Sequence, residues 1–402
     1  MIRNFERRLI GITFVFLPLL FAGCQGTNGT KQVEFLENKS PESFVIKNAG
    51  SRRLPSAVGD DCDAIWEFGT VRKNLPDINE SRWFPEETKY LVSPTGVTEE
   101  IQLPGPSPSF KSLYSGEADG DNRYLVYAHT PQTKTVNQTQ WTLTSWNKPT
   151  KTMRIIAAND LGPEPDISAD NGYIAYTDLV NAKSQNSTLG IFLARGDMST
   201  KPKLIEADSG AVSLSWPYAF VLKRTSTPKN DGSYLFSIDR LDIKSGSRLR
   251  IDSGTMGRAS FAAGSRYLFI GKPTGEILIT DLDGNHVLNF SVPNAFSVLM
   301  VDDLENGFVF RVMGTERELG YSAMLVETNS GWKMVTLSRV NDKFQMTPEN
   351  IYGHQNCVYW FDSRTATPSP DAPKGDTWYR RIHHFGTISE ILKLAVEMKV
   401  TK

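Results

Sequence analysis

Asp119, Asp121, Asp166, Asp302 and Asp303 are the residues of this chain whose type and setting could do chemistry. A glycan hydrolase or lyase works with two such carboxyls, about 5–10 Å apart across a cleft. The sequence cannot display that spacing, and acidic side chains beside turns are ordinary hairpin chemistry. Other reactive patterns are missing. No Gly-x-Ser-x-Gly elbow occurs, no Gly-rich phosphate loop, and no Cys-x-x-Cys. Of His129, His286, His354, His383 and His384, only the last two are adjacent, and strand neighbours point to opposite faces. No pair has the spacing of a helical zinc site, so the histidines read as structural. The sequence thus assigns no catalytic residue, no metal and no cofactor.

The three cysteines carry more information. A basic start with Arg3, Arg7 and Arg8 precedes an apolar run from Leu9 to Ala22, then Gly23-Cys24. That is the pattern of a bacterial lipoprotein signal, with an apolar core too short for a comfortable bilayer span. The expectation is that residues 1–23 are removed and that Cys24 is lipidated. The chain would then be held on the extracytoplasmic side of a membrane, in a periplasm or at a cell surface. Cys62 and Cys357 remain, in a compartment where disulfides persist. They are either two buried thiols or one bridge closing a very long loop, and a bridge would stabilise by roughly 3–5 kcal/mol.

The chain has 402 residues, 39% of them hydrophobic and 10% aromatic, enough for a sizeable core. Its formal net charge of −1 gives no reason to expect nucleic acid or a polybasic membrane surface as partner. Membrane attachment is therefore expected through the N-terminal lipid alone, and the protein is read as a monomer.

The elements that must hold these residues are strands. Residues 24–60 are poor in aromatics and rich in Gly, Asn, Lys and Ser, the composition of a flexible tether. From 61 to 402, β-branched and aromatic runs alternate with turn residues. Similar runs start at Tyr124, Tyr173, Tyr218, Tyr267, Phe308 and Val358, 41 to 50 residues apart, close to the length of a four-stranded blade. Several follow a turn, such as Asp119-Gly-Asp-Asn122 and Ala169-Asp-Asn-Gly172. Others run into Gly-containing hairpins at Gly246, Gly284 and Gly331. The pattern predicts an all-β fold, a single β-propeller of about seven four-stranded blades, with six or eight possible. Terminal strands sharing one blade would close the ring and bring Cys62 near Cys357.

Pro163-Glu-Pro-Asp-Ile-Ser-Ala-Asp-Asn-Gly-Tyr-Ile-Ala-Tyr176 resembles the repeat of TolB-like propellers, which run Pro-x-x-Ser-x-Asp-Gly before an apolar strand. The other units keep the strand and mostly lose the rest, leaving an architecture also similar to WD40-like propellers. The resemblance implies an extracytoplasmic propeller that works by binding proteins, and it carries over no catalytic residue. Glu327-Thr-Asn-Ser-Gly-Trp332 resembles one imperfect copy of the quinoprotein-type repeat and implies no quinone site.

Arg195-Gly-Asp197 has the form of an adhesion tripeptide, but Gly-Asp is also ordinary turn chemistry. Asp281-Leu-Asp-Gly-Asn285 lacks the later ligands of a calcium loop and reads as a hairpin turn. Trp66, Trp83, Trp141, Trp146, Trp216, Trp360 and Trp378 read as blade packing, with Trp141 and Trp146 available to stack on sugars or partners. Thr130–Gln140 and Thr365–Asp376 are long enough to leave the blade surface. The expected function is a non-enzymatic binding or scaffolding protein for a protein or glycan partner. The rival is a glycan-active enzyme using channel carboxylates. Paired carboxylates converging in one cleft would favour the rival, and a large apolar patch would favour the binder.

Overall fold

The structure is a computed structural model. It describes residues 33–44, 55–58, 62, 64–72, 82–93, 96–102, 113–131, 141–159, 163, 165–181, 188–224, 235–255, 260–272, 274–292, 295–314, 320–339, 347–366 and 378–397.

Strand β1 (Val33–Asn38) and a short 3-10 helix (Pro41–Phe44) come first. Antiparallel meanders follow. The first is β2–β5 (Pro55–Val58, Ala64–Arg72, Arg82–Ser93, Gly96–Gln102). The second is β6–β9 (Leu113–Gly120, Tyr124–Pro131, Trp141–Asn147, Thr152–Asn159), and the third β10–β13 (Ile167–Asp170, Tyr173–Val180, Thr188–Arg195, Lys203–Ala207). Then come β14–β17 (Ser209–Ser215, Tyr218–Arg224, Leu235–Asp242, Arg248–Thr255) and β18–β21 (Ser260–Ala263, Tyr267–Gly271, Glu276–Asp281, His286–Ser291). The meander β22–β25 (Ala295–Leu304, Gly307–Gly314, Tyr321–Thr328, Gly331–Arg339) precedes a three-stranded one, β26–β28 (Thr347–His354, Cys357–Ala366, Trp378–Thr387). Helix α1 (Ile388–Leu394) and strand β29 (Ala395–Glu397) end the described chain.

The first strand of each meander packs on the first strand of the next, and β26 packs on β2, so the sheets close a ring about a channel. This is a single all-β propeller. Among the described residues six sheets have four or more strands and a seventh has three, within the range read from the repeat.

Each blade is covered on both faces by its neighbours, so its middle strands read as continuous apolar runs rather than alternating ones. Strand β19 is buried at every residue, and β24 at its first six. Outer strands such as β13 are mostly uncovered. The hairpin Asp170-Asn-Gly-Tyr173 has positive φ at both central residues, 50° and 78°, which Asn and Gly tolerate and other residues resist. Gly284 likewise has φ of 84° in the turn after β20.

Two expectations change. The span read as a tether, 24–60, contains β1, the 3-10 helix and β2. Strand β1 pairs in parallel with β25, from Val33 opposite Trp332 to Glu37 opposite Thr336, and antiparallel with β29. Val33, Leu36 and Phe44 are buried, and Phe44 packs on Trp360 with ring centroids 5.5 Å apart. A parallel pairing with a strand some 300 residues away leaves no hairpin signal in the sequence, which is why composition suggested a tether. The second change is in ring closure. The terminal strands do share a sheet, but as the two outermost strands of the β22–β25 blade rather than as parts of one closing blade.

Covalent closure is present. Cys62, in the turn between β2 and β3, is bonded to Cys357 at the start of β27, with Cα atoms 5.4 Å apart. The Tyr359 hydroxyl donates to the Cys62 carbonyl at 2.7 Å, holding the same two blades together.

Candidate functional site at the channel mouth

An inner strand is hydrogen-bonded on one side only, because its other edge faces the channel. Alternate N–H groups on that edge need an acceptor from elsewhere. Side chains of the preceding blade supply it. Asp166, Ser168 and Asp170 on and just before β10 accept from the N–H of Val212, Leu214 and Trp216, at 2.7, 2.9 and 2.6 Å. Both sets alternate in step, so the two inner strands are zipped by side chains. Asp119 accepts from Ala169 N–H and Asp121 from Gly172 N–H, each at 2.6 Å. Ser213 accepts from Ala263 N–H at 2.8 Å, and Asp302 from Gly353 N–H at 2.9 Å. The Ser215 hydroxyl donates to the Gly264 carbonyl at 2.9 Å.

All five aspartates read from sequence therefore lie on or beside inner strands. Four of them, Asp119, Asp121, Asp166 and Asp302, clasp one blade to the next. Asp121 also accepts from the N–H groups of Arg123 and Tyr124, which fixes its own hairpin. Asp119 and Asp303 line a cavity of about 470 Å³ at the hairpin end of the channel. Asp170, Glu305, His354 and Trp216 line it too, and among the described residues no Lys or Arg does. Sequence reasoning missed Asp170 and the serines. The signal was available: Asp or Ser at alternate positions before the first turn of several units.

Burial in this low-dielectric channel, with neighbouring carboxyls second, raises the pKa values of Asp119, Asp170 and Asp302. Burial pushes Asp119 well above the usual carboxylate range, with Asp302 and then Asp303 adding to the effect and the Ala169 N–H opposing it. Asp302 is pushed up to about 7, chiefly by burial and then by Asp303. Burial also raises Asp170, against the pull of the Trp216 N–H. Trp216 stacks on Tyr173 at 3.8 Å, nearly parallel. The outer faces of that pair carry Arg195, 5.2 Å from the Tyr173 ring, and Lys244, 5.6 Å from the Trp216 ring.

Other candidates fall elsewhere. Trp141 and Trp146 are buried, not free to stack on a ligand, because the middle strand β8 is enclosed by neighbouring blades. In Arg195-Gly-Asp197 the arginine pairs with the aspartate, Nε to Oδ1 at 3.3 Å, and Asp197 accepts from Ser199 N–H at 2.9 Å. A Cβ on Gly196 would lie 2.7 Å from the Tyr124 ring. That tripeptide is a packed hairpin turn. Asp281 accepts from the N–H groups of Asp283 and Asn285 and from the Asn285 side chain, closing its own turn. His383 and His384 are buried, with His384 Nε2 3.0 Å from Asp362 Oδ2 and Nδ1 3.1 Å from the Pro41 carbonyl. His286 is exposed. Among the described residues no three His, Cys, Asp or Glu side chains group to hold a metal. Cys24, the His129, Trp66, Trp83 and Trp378 side chains, and most of Thr130–Gln140 and Thr365–Asp376 lie outside the described residues.

No protein-family model and no curated protein sequence matches this chain. Solved structures do resemble it in fold. A puromycin hydrolase complexed with PGG superposes with a TM-score of 0.50 at 13% identity, covering 86% of this chain and 54% of its own. An acylaminoacyl peptidase of Pyrococcus horikoshii gives 0.46 at 11%, covering 63% and 44%. TolB from Acinetobacter baumannii gives 0.43 at 10%, covering 89% and 95%. The chain spans about half the length of the two hydrolases. At these identities the likeness shows the propeller fold alone.

Proposed function

We propose that this chain is a lipid-anchored, extracytoplasmic propeller that binds a protein or glycan partner at its channel mouth without transforming it. One observation carries the reading: four of the five carboxylates that sequence offered for catalysis, Asp119, Asp121, Asp166 and Asp302, are engaged in holding the ring together. Asp302 accepts a backbone N–H at both oxygens, from Gly353 and from Asp303, the latter at 3.1 Å. Asp119 does the same with Ala169 and Gly120. Carboxyls held by backbone donors are poorly free to shuttle protons to a substrate. What the mouth offers instead is an acidic recess beside the Tyr173–Trp216 plate, on a rigid ring.

A second reading has one observation in its favour. Asp119, Asp170 and Asp303 converge on a single cavity, and Asp302 titrates near 7, as a general acid would. The two readings separate experimentally. A photo-crosslinking residue at the exposed mouth position Asn171, in producing cells, should capture one discrete partner, while the same residue at Lys201 on an outer turn should not. Hydrolysis or elimination of a glycan by the purified chain, abolished in a folded Asp119→Asn variant, would favour the enzyme instead. Cys24→Ser should move the protein out of the membrane fraction, and retention would contradict the anchor.

A further inference from the structure

We propose that the membrane faces one particular edge of the propeller, the outer margin of the β22–β25 blade formed by β1, α1 and β29. The proposal rests on the reading of Cys24 as the lipid anchor and adds to it an orientation.

Val33 is the first residue of β1, buried and paired with Trp332, so the folded domain begins there rather than near residue 61. Eight residues lie between Cys24 and Val33, so nine Cα–Cα steps join them. Fully extended, those steps reach roughly 30 Å, the furthest that Val33 can lie from Cys24. A tether running to residue 60 would reach roughly 120 Å, enough to let the domain present any face. With the short span, the edge bearing β1 stays near the headgroups while the far blades do not.

That edge is also suited to a lipid surface. Leu394 and Val396 are exposed there, 38% and 44% accessible, on α1 and on the outermost strand. The charged residues of these elements are Glu34, Glu37, Glu390 and Glu397 against Lys39 and Lys393, a net of −2, so the seating is carried by the anchor and the apolar side chains and is weakened by anionic lipid. The hairpin-end cavity is built from inner strands, so seating the outer edge leaves its mouth open to a partner.

The test uses the full lipidated chain in vesicles of phosphatidylethanolamine and phosphatidylglycerol carrying a headgroup quencher. One fluorophore is attached, without reduction, through Val396→Cys or through Ser199→Cys on the β12–β13 turn. Quenching several-fold stronger at position 396 is expected. Equal quenching, or stronger quenching at 199, in protein that floats with the vesicles would overturn the orientation. Inserting twenty Gly/Ser residues after Asn28 should even out the two signals while flotation is kept. A contrast that survives the insertion would refute the argument from reach. An unmodified Cys24 by intact mass, with no flotation, would instead remove the anchor, and the orientation with it.

Discussion

Replacing Asp302 by Asn should flatten the dependence of stability on pH between pH 5 and pH 8. In the folded chain this carboxyl titrates near 7 rather than 3.8, because it is buried and lies beside Asp303. The folded chain thus holds a proton that the unfolded chain has already released. Below about 4 both states are protonated and no penalty exists. The penalty grows as pH rises toward 7 and is complete above it. At about 1.4 kcal/mol per pKa unit the full shift corresponds to about 4 kcal/mol. The side chain retains some contact with the channel, so about 2 kcal/mol is the expected figure. Asp119 and Asp170 are raised by burial too and slope the same way. Asp197, lowered to about 2, and Glu390, also lowered, lose their contribution only at more acid pH. Asn keeps one acceptor for the Gly353 N–H and carries no charge. Urea unfolding of both proteins at pH 5 and pH 8, without reductant, reads the effect. The variant should match the parent within about 1 kcal/mol at pH 5 and exceed it by about 2 kcal/mol at pH 8. A variant destabilised equally at both values would refute the reasoning, since the ionised carboxylate would then be the better clasp.

Cys357→Ser should cost about 3 kcal/mol by releasing a loop of 295 residues, and non-reducing peptide mapping of the parent should recover Cys62 joined to Cys357. Two alkylatable thiols in the native protein would contradict the bridge. Phe44→Ala removes a buried ring packed on Trp360 and should cost about 3 kcal/mol in urea unfolding; no change would return residues 33–44 to the tether. Asp197→Ala removes the acceptor of the Ser199 N–H and the ionic partner of Arg195, which keeps its Tyr173 contact, so a loss of about 1 kcal/mol is expected. Cell attachment should be unaltered by that change, and its loss would reinstate an adhesive role for the turn.

The architecture was legible because propeller blades repeat. The Tyr124, Tyr173, Tyr218 and Tyr267 strands are buried middle strands at a steady period, and periodic burial is what a sequence records best. The Cys62–Cys357 proximity was legible from ring closure itself, although the blade thought to carry it was not. Strand β1 was invisible, since its partners β25 and β29 lie far along the chain and its six residues have no hairpin of their own. At the site, residue type pointed correctly to the channel aspartates. Their role was hidden because a side chain that accepts a backbone N–H some 50 residues away looks, in sequence, like any turn aspartate. The Pro163–Tyr176 segment shows what the resemblance was recording: its Ser168 and Asp170 belong to the zipper between β10 and β14.

The most direct measurement is residue-resolved amide hydrogen exchange at Ala169, Gly172, Val212, Trp216 and Gly353 in the intact, oxidised chain. If the channel carboxylates are blade clasps, these five edge amides exchange as slowly as the interior of β11 and β15. Exchange at the rate of exposed turns would mean that Asp119, Asp121, Asp166, Asp170 and Asp302 are free, and would return them to catalysis.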